Sequence, residues 1–445
     1  VKDTGVEDAG VKDSGTVDGG KKDGGGDAGF KDAGGDAGQG DGGAADGGVP
    51  VKCVSFDDCT GATVCDFALG LCETRDVKPA STIALFDFKP PEGGKGDVLV
   101  VDGHRFFSSI MGALSVKIKI GAATKSTGAD ENRAIATLGG AEAGVVTITG
   151  EGSVSATGGK YKSAPSGIIA CDGSTPAASG EPGATVYDSG PYAAGYVDDP
   201  SNTLRVYYPA ECGSVRRPPV QGTFPLISLL HGNGALYLNY EYLAQHLATW
   251  GFVSIMPESA DENDTNNELQ NIVEYYLDTD LGDILPILKG VRTGSKIAHV
   301  GHSRGTARME IITGSGLLES STAAAVFLGP VDNGVKVPAG YFMTFHATGD
   351  LQSGEGYSED AYGRQDAPKW FITINGGNHS LFSDHKVWLG AMSDELPTIT
   401  RSQQFRIVTS FVLPMMERAF GMTEHFPGRI DSPPPSPDYT VKMEK

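Results

Sequence analysis

The chain predicts an α/β protein, a mostly parallel sheet flanked by helices, with a β-sandwich and irregular segments ahead of it. Three observations carry this. From about residue 167 onward, strand-type runs alternate with stretches of helical period, as in sheets built with crossover helices. Residues 78–162 instead hold short strand-type runs separated by Gly, Pro and Asp, the pattern of a sandwich. At 295–309 an apolar run, Ile297 to Val300, enters Gly301-His302-Ser303-Arg304-Gly305 and leaves into a helix-forming segment.

Composition narrows the classes. The 445 residues allow two or three domains. A formal net charge of −21 argues against nucleic acid or an anionic membrane surface as the main partner. No apolar run approaches the roughly 18–20 residues of a bilayer span. The sequence opens without an n-region or apolar h-region, so any signal peptide is expected to have been removed.

Residues 1–50 are low complexity, with V-K-D-T-G, V-K-D-S-G and repeated G-D-A-G. So little apolar surface cannot offset the entropy of ordering, which predicts a disordered acidic tether. A calcium-binding roll is the rival, but the period is irregular and the stacking apolar position is missing. Residues 51–76 place Cys53, Cys59, Cys65 and Cys72 close together without a nearby histidine or a C-x-x-C pair, so disulfides are expected rather than zinc. Cys171 and Cys212 stand at the front of the next α/β region as a further candidate pair. Disulfides imply an oxidising compartment.

In the sandwich region, strands are expected near 83–86, 97–101, 114–120, 134–138 and 144–148. In the α/β region, 167–430, strands are expected at 204–208, 225–230, 252–256, 297–300, 323–328, 341–345 and 370–374. Helices are expected at 240–250, 268–288 and 403–420, and a Pro-rich tail at 431–445 ends the fold.

A strand that turns through G-x-S-x-G into a helix presents its serine on a sharp, strained turn. In a chain with 63 glycines the bare pattern is weak, so the flanking strand and helix matter. A serine hydroxyl needs a base, an orienting carboxylate and donors for an oxyanion. Asp350 follows the 341–345 strand in F-H-A-T-G-D, and His379 follows the next strand in I-N-G-G-N-H-S. Both therefore sit in loops at strand C-termini, where ligands collect in open α/β sheets. Asp360, Asp366 and His385 are rivals that do not directly follow a strand. The oxyanion donors are assigned to the backbone N–H groups of Arg304 and of Asn233, in Leu229-Leu230-His231-Gly232-Asn233-Gly234. His302 packs beside the nucleophile without a catalytic role. The 258–264 and 351–363 segments read as solvated loops near the cleft.

The H-G-N-G loop, G-H-S-R-G turn, T-G-D loop and G-G-N-H-S loop together resemble an α/β-hydrolase. The nearest branch is that of platelet-activating-factor acetylhydrolases, chlorophyllases and cutinase-like polyester hydrolases, and Y-L-A-Q-H-L-A-T-W-G-F-V-S-I-M-P-E adds to the likeness. The resemblance implies the α/β-hydrolase fold and a serine esterase with Ser303, Asp350 and His379 as triad. It implies an ester substrate, small or polymeric, and no cofactor or metal. Arg304-Gly305-Thr306 departs from the second glycine common after that turn, and no cysteine follows Cys212, so esterase is the safer expectation than polyesterase. The phrases G-D-V-L-V-V-D-G-H-R-F, V-K-I-K-I-G and G-V-V-T-I-T-G are similar to the IPT/TIG immunoglobulin-like domain. The Asp/Gly/Lys spacer resembles those behind lipoprotein signals of myxobacterial surface proteins, implying a secreted or cell-surface location and anchoring through the N-terminal modules. A reading from another class is a surface adhesion or polymer-binding protein with an inert hydrolase domain. The complete serine, acid, base and H-G-N-G set argues against it.

Overall fold

The computed structural model describes residues 63–66, 71–74, 84–90, 92–104, 115–128, 133–139, 143–149 and 155–164. It also describes 167–445 apart from 174, 234, 259–267, 315–316, 332, 385–393 and 396. The expected tether, most of the cysteine module, Gly234, His385 and residues 259–264 lie outside these. The chain divides into Val1–Val49 and Pro50–Lys445, and every described residue belongs to the second unit.

Strands β1 (Thr63–Asp66) and β2 (Leu71–Thr74) form an antiparallel pair. Next come β3 (Ala84–Lys89), β4 (Glu92–Gly93), β5 (Val98–His104), β6 (Ser115–Ile120) and β7 (Ala123–Gly128). The set is completed by β8 (Arg133–Thr137), β9 (Gly144–Thr149) and β10 (Ser155–Ser163). They build one sheet in the order β3-β5-β8 and another in the order β4-β10-β9-β6-β7. One core lies between the two sheets, with Leu99 and Val101 from the first meeting Ile118, Val146 and Ile148 from the second. Because successive strand side chains point to opposite faces, Val98 and Val100 of β5 face the other way. They join the apolar core of the large sheet.

That sheet has ten strands, all coming after the sandwich in the chain. They are β11 (Ala193–Asp199), β12 (Leu204–Ala210), β13 (Ser214–Val215), β14 (Gly222–Leu230) and β15 (Val253–Pro257). The remainder are β16 (Val291–His302), β17 (Thr322–Leu328), β18 (Tyr341–Ala347), β19 (Lys369–Ile374) and β20 (Tyr439–Glu444). Their order is β13-β11-β12-β15-β14-β16-β17-β18-β19-β20. Pairing is parallel from β15 through β19, and antiparallel at β11–β12, β12–β15 and β19–β20. The central strands are apolar without alternation because both faces are covered. In β17, Ala324, Val326 and Leu328 face one layer while Ala325 and Phe327 face the other.

Helices α1 (Glu241–Thr249) and α7 (Arg401–Ala419) cover the first face through Leu243, Leu247, Val408 and Val412. The second face is covered by α2 (Glu268–Tyr275), α3 (Leu281–Ile284), α4 (Arg304–Thr313), α5 (Leu317–Ser321) and α6 (Gly354–Arg364). A capping box starts α7: Thr400 accepts from the Gln403 N–H while the Gln403 side chain accepts from the Thr400 N–H. Cys171 and Cys212 are joined in a disulfide.

Three expectations are corrected. The 268–288 helix is broken, because Asp278 takes φ +50°, Asp280 caps a new turn by accepting from the Gly282 N–H, and Pro286 cannot continue α3. The tail is no appendage, since β20 pairs along all of β19 as the edge of the sheet. The 351–363 segment contains α6, which buries Ser358, Ala361 and Tyr362.

The two parts of this unit meet across buried charge. Arg205 on β12, wholly buried, donates to Asp198 at 2.7 Å, to Glu241 at 2.7 Å and to the Val98 carbonyl of the sandwich at 3.2 Å. The Val98 N–H donates to Asp198 at 2.6 Å, and Lys89 lies 2.6 Å from Glu241. Farther along the seam Arg216 pairs with Asp97 at 2.8 Å and Arg217 with Glu92 at 3.0 Å.

Candidate active site

Parallel pairing brings the C-terminal ends of β14, β16, β18 and β19 to one side of the sheet. Four connecting segments meet there around a cleft of about 330 Å³, lined among others by Gly232, Asn233, Ser303, Arg304, Gln352 and His379.

Ser303 stands between β16 and α4 with φ +53° and ψ −124°, a conformation an L-residue adopts only under constraint. The constraint is visible. Its N–H donates to the Leu328 carbonyl at 3.0 Å, and its own carbonyl accepts from the Thr306 N–H at 3.0 Å and the Thr306 hydroxyl at 2.6 Å. The glycines of the motif answer to space. A Cβ at Gly301 would lie 2.8 Å from the Gly305 backbone, and one at Gly305 would overlap the Leu230 carbonyl. A Cβ at Gly232 would come within 3.0 Å of the Ser303 Cβ, so only glycine lets that loop lie against the serine. Arg304 is the first residue of α4, at its positive end, and Asn233 lines the same cleft; both are exposed.

His379 opens a short 3-10 turn capped by Asn378, which accepts from the Leu381 N–H. Its Nδ1 donates to Asp350 Oδ2 at 2.7 Å, and both residues are buried. Asp350 also accepts from the Gln352 N–H (3.0 Å), the Ser353 N–H (2.9 Å) and the Ser353 hydroxyl (2.6 Å). Burial would raise this carboxyl, but the bonds from His379 and Ser353 and the His379 charge outweigh it and hold it at about 2. The carboxylate is therefore ionised throughout the range in which imidazoles titrate.

Behind the serine, the Tyr240 hydroxyl accepts from the Gly232 N–H at 3.2 Å and donates to His302 Nδ1 at 2.6 Å. Burial first, then the nearby His379, push His302 well below the usual histidine range, so its ring is neutral. His302 itself lines the cleft beside Ser303 and His379. Tyr240 escaped the sequence reading, because its hydroxyl reaches the site only through the turn that precedes α1.

The rival acids stand apart. Asp360 and Asp366 are exposed, and Asp366 pairs with Lys336 at 2.5 Å. A second serine–histidine pair, Ser228 with His299 at 2.7 Å, lies wholly buried between β14 and β16. With no solvent access at either residue, it serves packing. Gln352 and Tyr357, placed in a solvated loop by the sequence reading, both line the cleft.

Residues 183–336 match the Chlorophyllase family model. The matched stretch begins ahead of β11, ends past β17, and contains the H-G-N-G loop and the G-H-S-R-G turn. It stops short of Asp350 and His379. A family of this type carries the α/β-hydrolase fold, and the large mixed sheet with helices agrees with that fold. No curated protein matches the chain.

Proposed function

We propose that the protein is a serine hydrolase of carboxylic esters, with Ser303 as nucleophile, His379 as general base and acid, and Asp350 as the orienting carboxylate. One observation carries the reading: a strained Ser303 shares a cleft with His379, whose far ring nitrogen is bonded to a buried, ionised Asp350. That bond holds the proton on Nδ1 and leaves Nε2 as the acceptor for the serine proton.

In the reaction, Ser303 Oγ attacks the acyl carbonyl as His379 takes its proton. The Asn233 and Arg304 N–H groups receive the oxyanion. Collapse expels the alcohol, which takes the proton back from His379. Water, activated by the same imidazole, then releases the acid from the acyl-enzyme. A cleft of about 330 Å³ lies at the small end of ligand sites, which favours compact acyl groups over long chains. The Cys171–Cys212 disulfide supports a secreted or surface location. The sandwich, with its resemblance to IPT/TIG domains, acts as an accessory domain fixed to the catalytic one.

Hydrolysis of p-nitrophenyl esters from acetyl to decanoyl tests this, with Ser303→Ala as control. The expected outcome is turnover highest at short chains and abolished in the variant. Turnover retained by the variant would sink the mechanism, and none in either protein would favour the inert, adhesive reading.

A further inference from the structure

The acid and base loops are bound to each other by more than the Asp350–His379 bond. The Gly349 N–H donates to the Gly377 carbonyl at 2.9 Å, tying the loops directly. A third piece of chain, Asp394 and Glu395, lies across both. The Glu395 N–H donates to the Gly349 carbonyl at 3.0 Å, while its carbonyl accepts from Asn378 Nδ2 at 3.1 Å. Asp394 adds its side chain. Oδ1 accepts from Gln352 Nε2 at 3.1 Å, and Oδ2 accepts from the Ser380 N–H at 3.1 Å and the Ser380 hydroxyl at 3.2 Å.

These donors are placed with purpose. Gln352 is the residue whose N–H bonds Asp350, and Ser380 directly follows His379. Both line the cleft. One carboxylate thus clamps the residue beside the acid and the residue beside the base. Three donors approach it from two sides, which only a group accepting at both oxygens can satisfy. An amide in its place keeps its oxygen for one side only, so its NH₂ meets the Ser380 N–H or obliges the Gln352 amide to turn over.

We infer that Asp394 is a positioning residue of the reaction, holding the Asp350 and His379 loops in register and placing a negative charge beside the imidazole. The inference rests on the serine-hydrolase reading above. The charge has a second consequence, because a carboxylate near an imidazole stabilises its protonated form. Partial burial raises the Asp394 carboxyl, whereas Gln352 and the His379 charge lower it, so the coupling to His379 runs both ways. Among the described residues, the other titratable groups facing His379 are Asp350 and His302. On the Asp350 side, His346 faces Asp350, Glu355 and Glu359.

Asp394→Asn and Asp394→Ala in the full chain test it, through kcat and KM for p-nitrophenyl acetate across pH. A parallel titration follows the His379 imidazole by NMR, assigned with His379→Ala. The expected result is kcat lower by about tenfold, since small displacements of reacting groups cost rate, with KM nearly unchanged. The acidic limb of kcat/KM and the imidazole titration should both move to lower pH, because the base loses a neighbouring negative charge. Variants with wild-type kcat and an unmoved titration overturn the inference. So does a loss of activity matched by a loss of folded protein with the pH profile unmoved. The NMR arm needs no substrate. A wild-type protein that hydrolyses no ester therefore sinks the proposed function, while the imidazole titration still decides the Asp394–His379 coupling.

Discussion

The ring of His302 lies 4.4 Å, centroid to centroid, from the ring of His379, and only one of the two meets a carboxylate. His302 instead accepts from Tyr240, whose hydroxyl also holds the Gly232 N–H. Burial and the nearby His379 keep the histidine next to Ser303 neutral, and Tyr240 fastens to it the loop proposed to bind the oxyanion.

Tyr240→Phe removes that fastening while preserving the ring. The Gly232 N–H and His302 lose their shared partner, at a cost to stability of about 1 kcal/mol. The expected kinetic effect is a kcat lower by about tenfold with little change in KM, since the oxyanion donors act on the transition state. Steady-state kinetics beside a Ser303→Ala blank would show it; an unchanged kcat would remove Tyr240 from the site.

Asp350→Asn should abolish most activity and also change how stability depends on pH. The folded carboxyl is held at about 2, below its ordinary 3.8. A depressed folded value contributes stability that is fully present above the unfolded value and is lost as pH falls through the folded one. The contribution, about 2 kcal/mol, is therefore present above about pH 4 and fades toward pH 2. Urea unfolding should show wild type and variant far apart at pH 7 and converging as pH falls through this window. A constant gap would contradict the assignment.

Arg205→Met tests the seam between sandwich and catalytic sheet. It leaves Asp198 and Glu241 buried without the guanidinium that bridges them. Breaking a buried pair by removing one partner costs about 3–5 kcal/mol. The Val98 N–H, bonded to Asp198 in the native protein, should exchange with deuterium sooner. Normal stability and normal exchange would mean that the seam does not depend on this cluster.

Gly305→Ala places a methyl against the Leu230 carbonyl, where backbone alone must give way. Overpacking of this kind costs about 1–3 kcal/mol, and here it also pushes the H-G-N-G loop off the turn. A lowered Tm together with slower labelling of Ser303 by a fluorophosphonate is expected. Wild-type labelling would show that the two loops tolerate separation.

Local pattern carried the proposed catalytic order in this chain. Ser303, Asp350 and His379 each follow a strand whose apolar run is visible in one dimension, because both-face burial demands continuous Val, Ile, Leu and Phe. The glycines at 232, 301 and 305 are legible within their motifs, and each marks a close approach that a Cβ would block. Other features depend on partners distant in sequence. Asp394 matters only because α7 is entered beside two strand-end loops, and Tyr240 only because its hydroxyl points back under Gly232. The tail became β20 because β19 offers an open edge, a need that no tail residue displays by itself. Val98 and Val100 read as half of a sandwich strand, yet the surface they cover belongs to another sheet. The sequence alone thus determined the proposed reacting groups and their order along the chain, since the strands that present them are continuous local apolar runs. Tertiary structure decided what holds those groups in place, because side-chain hydrogen bonds and buried ion pairs join residues that only the folded chain brings together.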